Sequence, residues 1–186
     1  MRIIAGRFKR RTIKAPKGRL TRPTTDRTRE AAFNLIESRV SLVGAHFLDL
    51  FAGSGAVALE ALSRNALHAT LVESDGRVFA YARENAALLG VEEECTFVRM
   101  DVLAYLRRKD DLAFDVIFAD PPYDLPSVAL LPELVLPRLS PDGLFVLEHD
   151  ARVSLEHHPN LETSRAYGKS MLSIFRPGSD LDSPEN

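Results

Sequence analysis

The chain of 186 residues contains a single cysteine, Cys95, so no disulfide can form within it. That absence points to a reducing, cytoplasmic setting. No apolar run approaches the ~20 residues of a membrane span, and basic residues follow Met1 too soon for a signal peptide, so no membrane association is expected. The five histidines, His46, His68, His149, His157 and His158, stand at no ligand spacing with the cysteine, and no metal is expected. Cys95 has no partnered base in the sequence, which argues against a nucleophilic thiol. Internal repeats are absent as well. What remains, 45% hydrophobic and 27% charged residues, is the composition of one globular domain that buries its core without disulfide or metal support, and a monomer is expected.

Net charge is also nearly lacking, at −2, but the total conceals an asymmetry. Residues 1–39 hold twelve Lys/Arg against three Asp/Glu, a net of +9, which leaves −11 for the rest. A basic module on an acidic body suits an enzyme whose N-terminal part grips phosphates, and Arg7, Lys9, Arg10, Arg11, Arg22 and Thr24 are the residues placed to do so. The first thirteen residues alternate weakly between apolar and basic, reading as a hairpin or arm, and Pro16, Gly18 and Pro23 break the next stretch of chain. Thr24, Thr25 and Asp26 offer N-cap chemistry to a helix with Ala32, Leu35, Ile36 and Arg39 on one face, ending near Gly44.

Beyond residue 40, short apolar runs alternate with helical segments, the pattern of an α/β fold with a parallel sheet built from β-α-β units. Strands are predicted at 45–50, 69–73, 95–99, 114–119 and 143–148, and helices at 56–64, 77–89, 103–108 and 127–139. The last apolar run, 171–175, reads as a returning edge strand of a hairpin. The sequence thus divides into a basic extension at 1–39, a catalytic domain at 40–176 and a disordered tail at 177–186.

Chemistry concentrates at the predicted strand ends. Asp49-Leu-Phe51-Ala52-Gly53-Ser-Gly55 places a strand, a glycine turn and a helix start in succession, so the backbone can pass close to a ligand. A dinucleotide fold has such a turn too, but Asp49 would repel a pyrophosphate and attract an amino acid's ammonium, which favours S-adenosylmethionine. Glu73, followed by Ser74, suits ribose hydroxyls, and Asp101, followed by Val102, suits an adenine amino group. The fourth strand ends in Asp120-Pro121-Pro122-Tyr123. Prolines stiffen that segment; Asp120 and a backbone carbonyl can hold the two N–H bonds of a planar amine, and Tyr123 can stack on an extruded base.

Around these motifs the chain resembles the RsmD-type family, bacterial methyltransferases of the N2 amino group of a guanine in 16S ribosomal RNA. The resemblance runs to about Phe175. It rests on Met1-Arg-Ile-Ile-Ala-Gly6, Thr21-Arg-Pro-Thr-Thr-Asp-Arg-Thr-Arg-Glu-Ala-Ala-Phe-Asn-Leu35, the glycine turn, Glu60-Ala-Leu-Ser-Arg64 and Asp120-Pro-Pro-Tyr123. It implies a Rossmann-like class I methyltransferase sheet, seven-stranded and mostly parallel with a reversed last strand, S-adenosylmethionine as donor, and 16S rRNA or the small ribosomal subunit as partner. Tyr167-Gly-Lys169-Ser matches a late family segment and implies an RNA contact for Lys169. Asn65 stands where the family has glycine, a mild departure because asparagine tolerates the left-handed conformation of a helix end. Residues 151–164 look irregular. Alternatives left open are an adenine or glutamine amino methyltransferase, a nicotinamide-dependent oxidoreductase and a noncatalytic assembly factor.

Overall fold

A computed structural model describes residues 1–16, 26–108, 112–122 and 125–178. Seven strands form one sheet: β1 (His46–Leu50), β2 (His68–Glu73), β3 (Cys95–Arg99), β4 (Phe114–Ala119), β5 (Leu139–Asp150), β6 (Leu161–Tyr167) and β7 (Ser170–Phe175), in the order β3-β2-β1-β4-β5-β7-β6. Neighbours from β3 to β5 are parallel, and β7 runs antiparallel to both β5 and β6. Helices α1 (Asp26–Glu37), α2 (Ala56–Ser63) and α3 (Gly76–Leu89) cover one face with Phe33, Leu59 and Ala82, while α4 (Val102–Leu106) and α5 (Leu131–Val135) cover the other with Tyr105 and Leu131. Both faces of the central strands are therefore buried, which is why they read as continuous apolar runs.

Four expectations are corrected. The run at 171–175 is not an edge strand: β7 lies inside the sheet, buried on both faces, and its hairpin partner β6 forms the edge. β6 itself, Leu-Glu-Thr-Ser-Arg-Ala-Tyr, is mostly exposed and carries too little apolar side chain to be read as a strand, so the segment 151–164 reads as irregular up to its end. The helix predicted over 127–139 is broken into a 3-10 turn, α5 and a second 3-10 turn, because Pro132 and Pro137 remove donors from the helical ladder. The first helix also stops at Glu37 rather than near Gly44. Elsewhere α3 ends on Gly90 (φ 72°), and Asn65, following α2, adopts φ 74° as its tolerance of that region allows. Among the described residues no helix is long and apolar enough to cross a membrane.

Residues 1–13 turn back on themselves: Ile3 N donates to Arg11 O (2.9 Å) and Ile13 N to Met1 O (3.0 Å). Ile3 and Ile13 enter the same core as α1 to α3. The turn docks on the last turns of α2, where buried Glu60 accepts from Ile4 N (2.7 Å) and Ala5 N (2.9 Å), and Ser63 Oγ accepts from Phe8 N (3.0 Å). The chain then climbs α3 from its end to its start: Arg11 donates to Leu88 O, Lys14 pairs with Glu84, and Pro16 lies in a groove with Asp75 and Tyr81.

Candidate active site

The strands β1 to β4 end on one edge, and the acids singled out from the sequence stand there. Asp49, the penultimate residue of β1, is buried, and its carboxylate accepts from Ala58 N (3.0 Å) in the first turn of α2. Burial pushes its carboxyl up to about 8; the Ala58 N–H opposes the shift, and the nearby charges of Asp120 and Glu73 add to it. Past β1 the chain passes through left-handed Phe51 (φ 63°), Gly53 (φ 55°) and Gly55 (φ 79°), with Ala52 N held by Val72 O (3.0 Å). A Cβ on Gly55 would lie 3.0 Å from a Leu71 methyl and 3.1 Å from Ala82 Cβ, so the turn is seated against β2 and α3 as only glycine permits.

Glu73, at the end of β2, bonds that same turn: one oxygen accepts from Gly53 N (3.0 Å) and the other from Asp75 N (2.8 Å), with the Ser74 hydroxyl beside it at 3.4 Å. Asp101 is exposed and caps α4 through Ala104 N (2.9 Å), and the adjoining Val102 is buried. Asp120 follows β4 half-buried; Pro121 is buried and Pro122 exposed. The Pro122 carbonyl accepts from Leu125 N (3.0 Å), closing a turn. Tyr123 lies outside the described residues.

The basic set is divided. Lys169 sits exposed in the β6–β7 turn, beside Ser170, which is level with Asp150 at the C-terminal end of β5; it is thus on the same edge as Asp120. Arg7, Lys9, Arg10 and Arg11 lie at the opposite end of the sheet. There Arg7 pairs with Glu94 and donates to Leu62 O (3.2 Å), and Arg11 donates to Leu88 O (3.0 Å). Arg22 and Thr24 fall outside the described residues, as does the tail from 179 onwards. The Cys95 thiol is pushed up to about 12 by burial and by Glu94 and Glu92, so it stays protonated and inert.

Two residues near the site escaped sequence reasoning. Asn85, fully buried on α3, donates to Ser54 O in the glycine turn (3.0 Å) and to Lys14 O (2.9 Å), and accepts from Lys14 N (2.7 Å). It ties the N-terminal segment to the turn. Its signal was available: an asparagine between Ala82, Ala86 and Leu89 on an apolar helix face. The second is Glu148, a buried carboxylate near the end of β5. A groove of about 580 Å³ between Lys14–Pro16 and the start of α3 opens beside the turn, since Val78 lines it and lies 3.9 Å from where a Gly53 Cβ would be.

YlbH of Bacillus subtilis is 36% identical over 183 residues, covering 95% of this chain and 98% of its own. The ribosomal RNA small subunit methyltransferase D of Escherichia coli K12 is 40% identical over 123 residues, which span 66% of this chain and 60% of that protein. Among solved structures, Escherichia coli yhhF superposes with a TM-score of 0.82 at 31% identity, covering 96% of this chain and 99% of that one. An RNA methyltransferase of Salinibacter ruber, solved with S-adenosyl-L-homocysteine, shares the fold at a TM-score of 0.66 and 19% identity, over 89% of this chain and all of that one. The family described as conserved hypothetical protein 95 matches residues 1–176. With its seven-stranded sheet, reversed β7 and row of strand-end acids, the chain belongs to that family, the RsmD-type methyltransferases.

Proposed function

We propose that the chain moves the methyl group of S-adenosylmethionine to the N2 amino group of a guanine in 16S ribosomal RNA, presented by the small ribosomal subunit or an assembly intermediate. The observation that carries this reading is the placement of Asp49 and Asp120 on neighbouring strands at one sheet edge, close enough that the charge of Asp120 bears on Asp49. The donor, when bound, supplies a methyl group on a sulfonium, a good leaving group.

Everything else falls to the chain's own residues, and they fit that donor. Asp49, buried and reluctant to ionise alone, gains from an ammonium partner what burial withholds. Glu73 and Asp101 each spend acceptor capacity on backbone N–H groups, yet a carboxylate has about four lone-pair sites, enough for ribose hydroxyls and an adenine amino group as well. Phe51, Ala52, Gly53, Gly55, Ser74 and Val102 complete the proposed cofactor site. Asp120 and the Pro121 carbonyl hold the two N–H bonds of the target amine, so that its lone pair faces the methyl; Tyr123 and Pro122 cover the extruded base. As the N–C bond forms and the S–C bond breaks, the nitrogen becomes cationic, and its proton passes to Asp120. Arg7, Lys9, Arg10, Arg11, Arg22, Thr24 and Lys169 bind the RNA around it.

Mass spectrometry of ribosomal RNA nucleosides from cells lacking this protein tests the reading. One N2-methylguanosine should disappear from 16S rRNA and return with the wild-type gene but not with Asp120→Ala, which should still bind S-adenosylhomocysteine within a few-fold of wild type. Unchanged 16S rRNA, with a methyl lost from adenine in DNA or RNA instead, would overturn it.

A further inference from the structure

Three carboxylates rise along one face of the sheet on three successive strands. Asp49 of β1 is level with Phe118 of β4, and Phe118 packs into the core beneath α1 to α3. Two residues on, the same alternation returns Asp120 to that face. Ala119 is level with Leu147 of β5, so one further step sets Asp120 beside Glu148. Glu148 is in turn level with Leu172, which lies in the same core as Val146 and Leu144, so its side chain shares the face of Asp49 and Asp120. Neighbouring strands are about 4.8 Å apart. A buried carboxylate thus stands one strand along from the acid proposed to hold the target amine, at the same height and on the same face.

We propose that Glu148 is a specificity-determining residue that accepts the N1–H of the target guanine while Asp120 holds its amino group; this rests on the methyl-transfer reading above. Guanine carries two adjacent donors on its Watson–Crick edge, the N2 amino group and N1–H. Adenine sets a bare N1 acceptor next to its amino group. An ionised carboxylate accepts only. Asp120 alone grips either amine, so the second carboxylate separates the two bases: it bonds the guanine N1–H and meets the adenine N1 as one acceptor facing another. Leaving a buried polar group unpaired is what makes such discrimination large.

The base 2-aminopurine separates this role from a structural one, because it keeps the amino group at C2 but has no proton on N1. The guanosine that wild-type protein methylates would be replaced by 2-aminopurine riboside in ligated RNA, and kcat/KM measured for both. Wild type should favour guanosine by about tenfold or more. Glu148→Gln, whose carboxamide can turn an N–H towards N1, should narrow that preference by about tenfold or reverse it, with S-adenosylhomocysteine affinity unchanged. Glu148→Ala, removing the acceptor outright, should narrow it too, and gives the answer if the glutamine variant melts early. A preference equal in wild type and both variants overturns the assignment of Glu148 alone. Wild type that binds S-adenosylhomocysteine but methylates no guanosine in small subunits overturns the proposed function, and this inference with it.

Discussion

Asp49 is where folding and function pull apart. Its carboxyl rises from an ordinary 3.8 to about 8 on folding, so between those values the folded chain holds a proton that the unfolded chain has lost. More protons bound in the folded state mean that stability falls as pH rises through that window, from about 4 to about 8, by on the order of a few kcal/mol. Asp49→Asn should flatten this slope in denaturation series at pH 5 and pH 8, since its amide oxygen can still accept from Ala58 N. The same change should weaken S-adenosylhomocysteine binding by on the order of a hundredfold, because the ammonium loses its charged partner. In wild type, binding below pH 8 should release a proton from Asp49, seen as a buffer-dependent heat in calorimetry. A variant that binds as well as wild type would remove Asp49 from the cofactor site. Strand-end acids such as this were legible because a carboxylate interrupting an apolar run has few other reasons to be there. Glu148 ends the predicted strand 143–148 in the same way, but its place beside Asp120 was not legible, since that acid follows a strand 28 positions earlier and only the register of β4 on β5 brings the two together.

At the level of elements, the strands β1, β2 and β4 were readable to within a residue because they are largely buried on both faces, and the edge strand β3 because Phe97 and Val98 keep an apolar run in it, whereas β6 is an edge whose polar side chains face water, and α5 is cut short by prolines that a hydrophobic pattern ignores. The N-terminal hairpin shows a third limit. Its fixing points, Glu60 and Ser63, lie on α2, over fifty residues away, so weak alternation in the first thirteen residues could not locate it. Gly6 (φ 77°) makes the docking possible: a Cβ there would come within 1.8 Å of Ser63 O, which is backbone and cannot yield. Gly6→Ala should therefore lift the hairpin, expose Ile3 and Ile13, and cost on the order of 3 kcal/mol in urea denaturation, with trypsin cutting first within residues 7–11. A variant as stable and as protease-resistant as wild type would show that the hairpin does not depend on this contact. Asn85→Ala acts one step further along, parting Lys14 from the Ser54 turn. It should cost roughly 1–3 kcal/mol and weaken S-adenosylhomocysteine binding several-fold, while Asp120→Ala leaves that affinity nearly alone. Equal affinity in the asparagine variant would mean that the turn holds its shape unaided.

Across the whole molecule, charge and topology arrange a long contact rather than a point. The acids cluster at the C-terminal edge of the sheet, while the exposed Lys9 and Arg10 sit at the other end of α3, whose 14 residues span roughly 20 Å. Lys169 alone among the described members of the basic set stands at the acidic edge. If both groups touch one RNA, that RNA must reach about 20 Å beyond the methylated base, which a short oligonucleotide does not do. Each phosphate contact adds about 0.7 to the slope of log affinity against log salt for single strands and about 0.9 for duplex. Replacing Lys9 and Arg10 with glutamine should therefore lower that slope by about 1.4 to 1.8 on small ribosomal subunits, raising KM for RNA and leaving kcat and S-adenosylhomocysteine affinity as they were. On an oligonucleotide too short to reach the far end, the same double variant should match wild type. Lys169→Gln, by contrast, should lower the slope on both substrates. A double variant whose slope on intact subunits equals that of wild type would confine the RNA contact to the catalytic edge and leave the hairpin a structural element only.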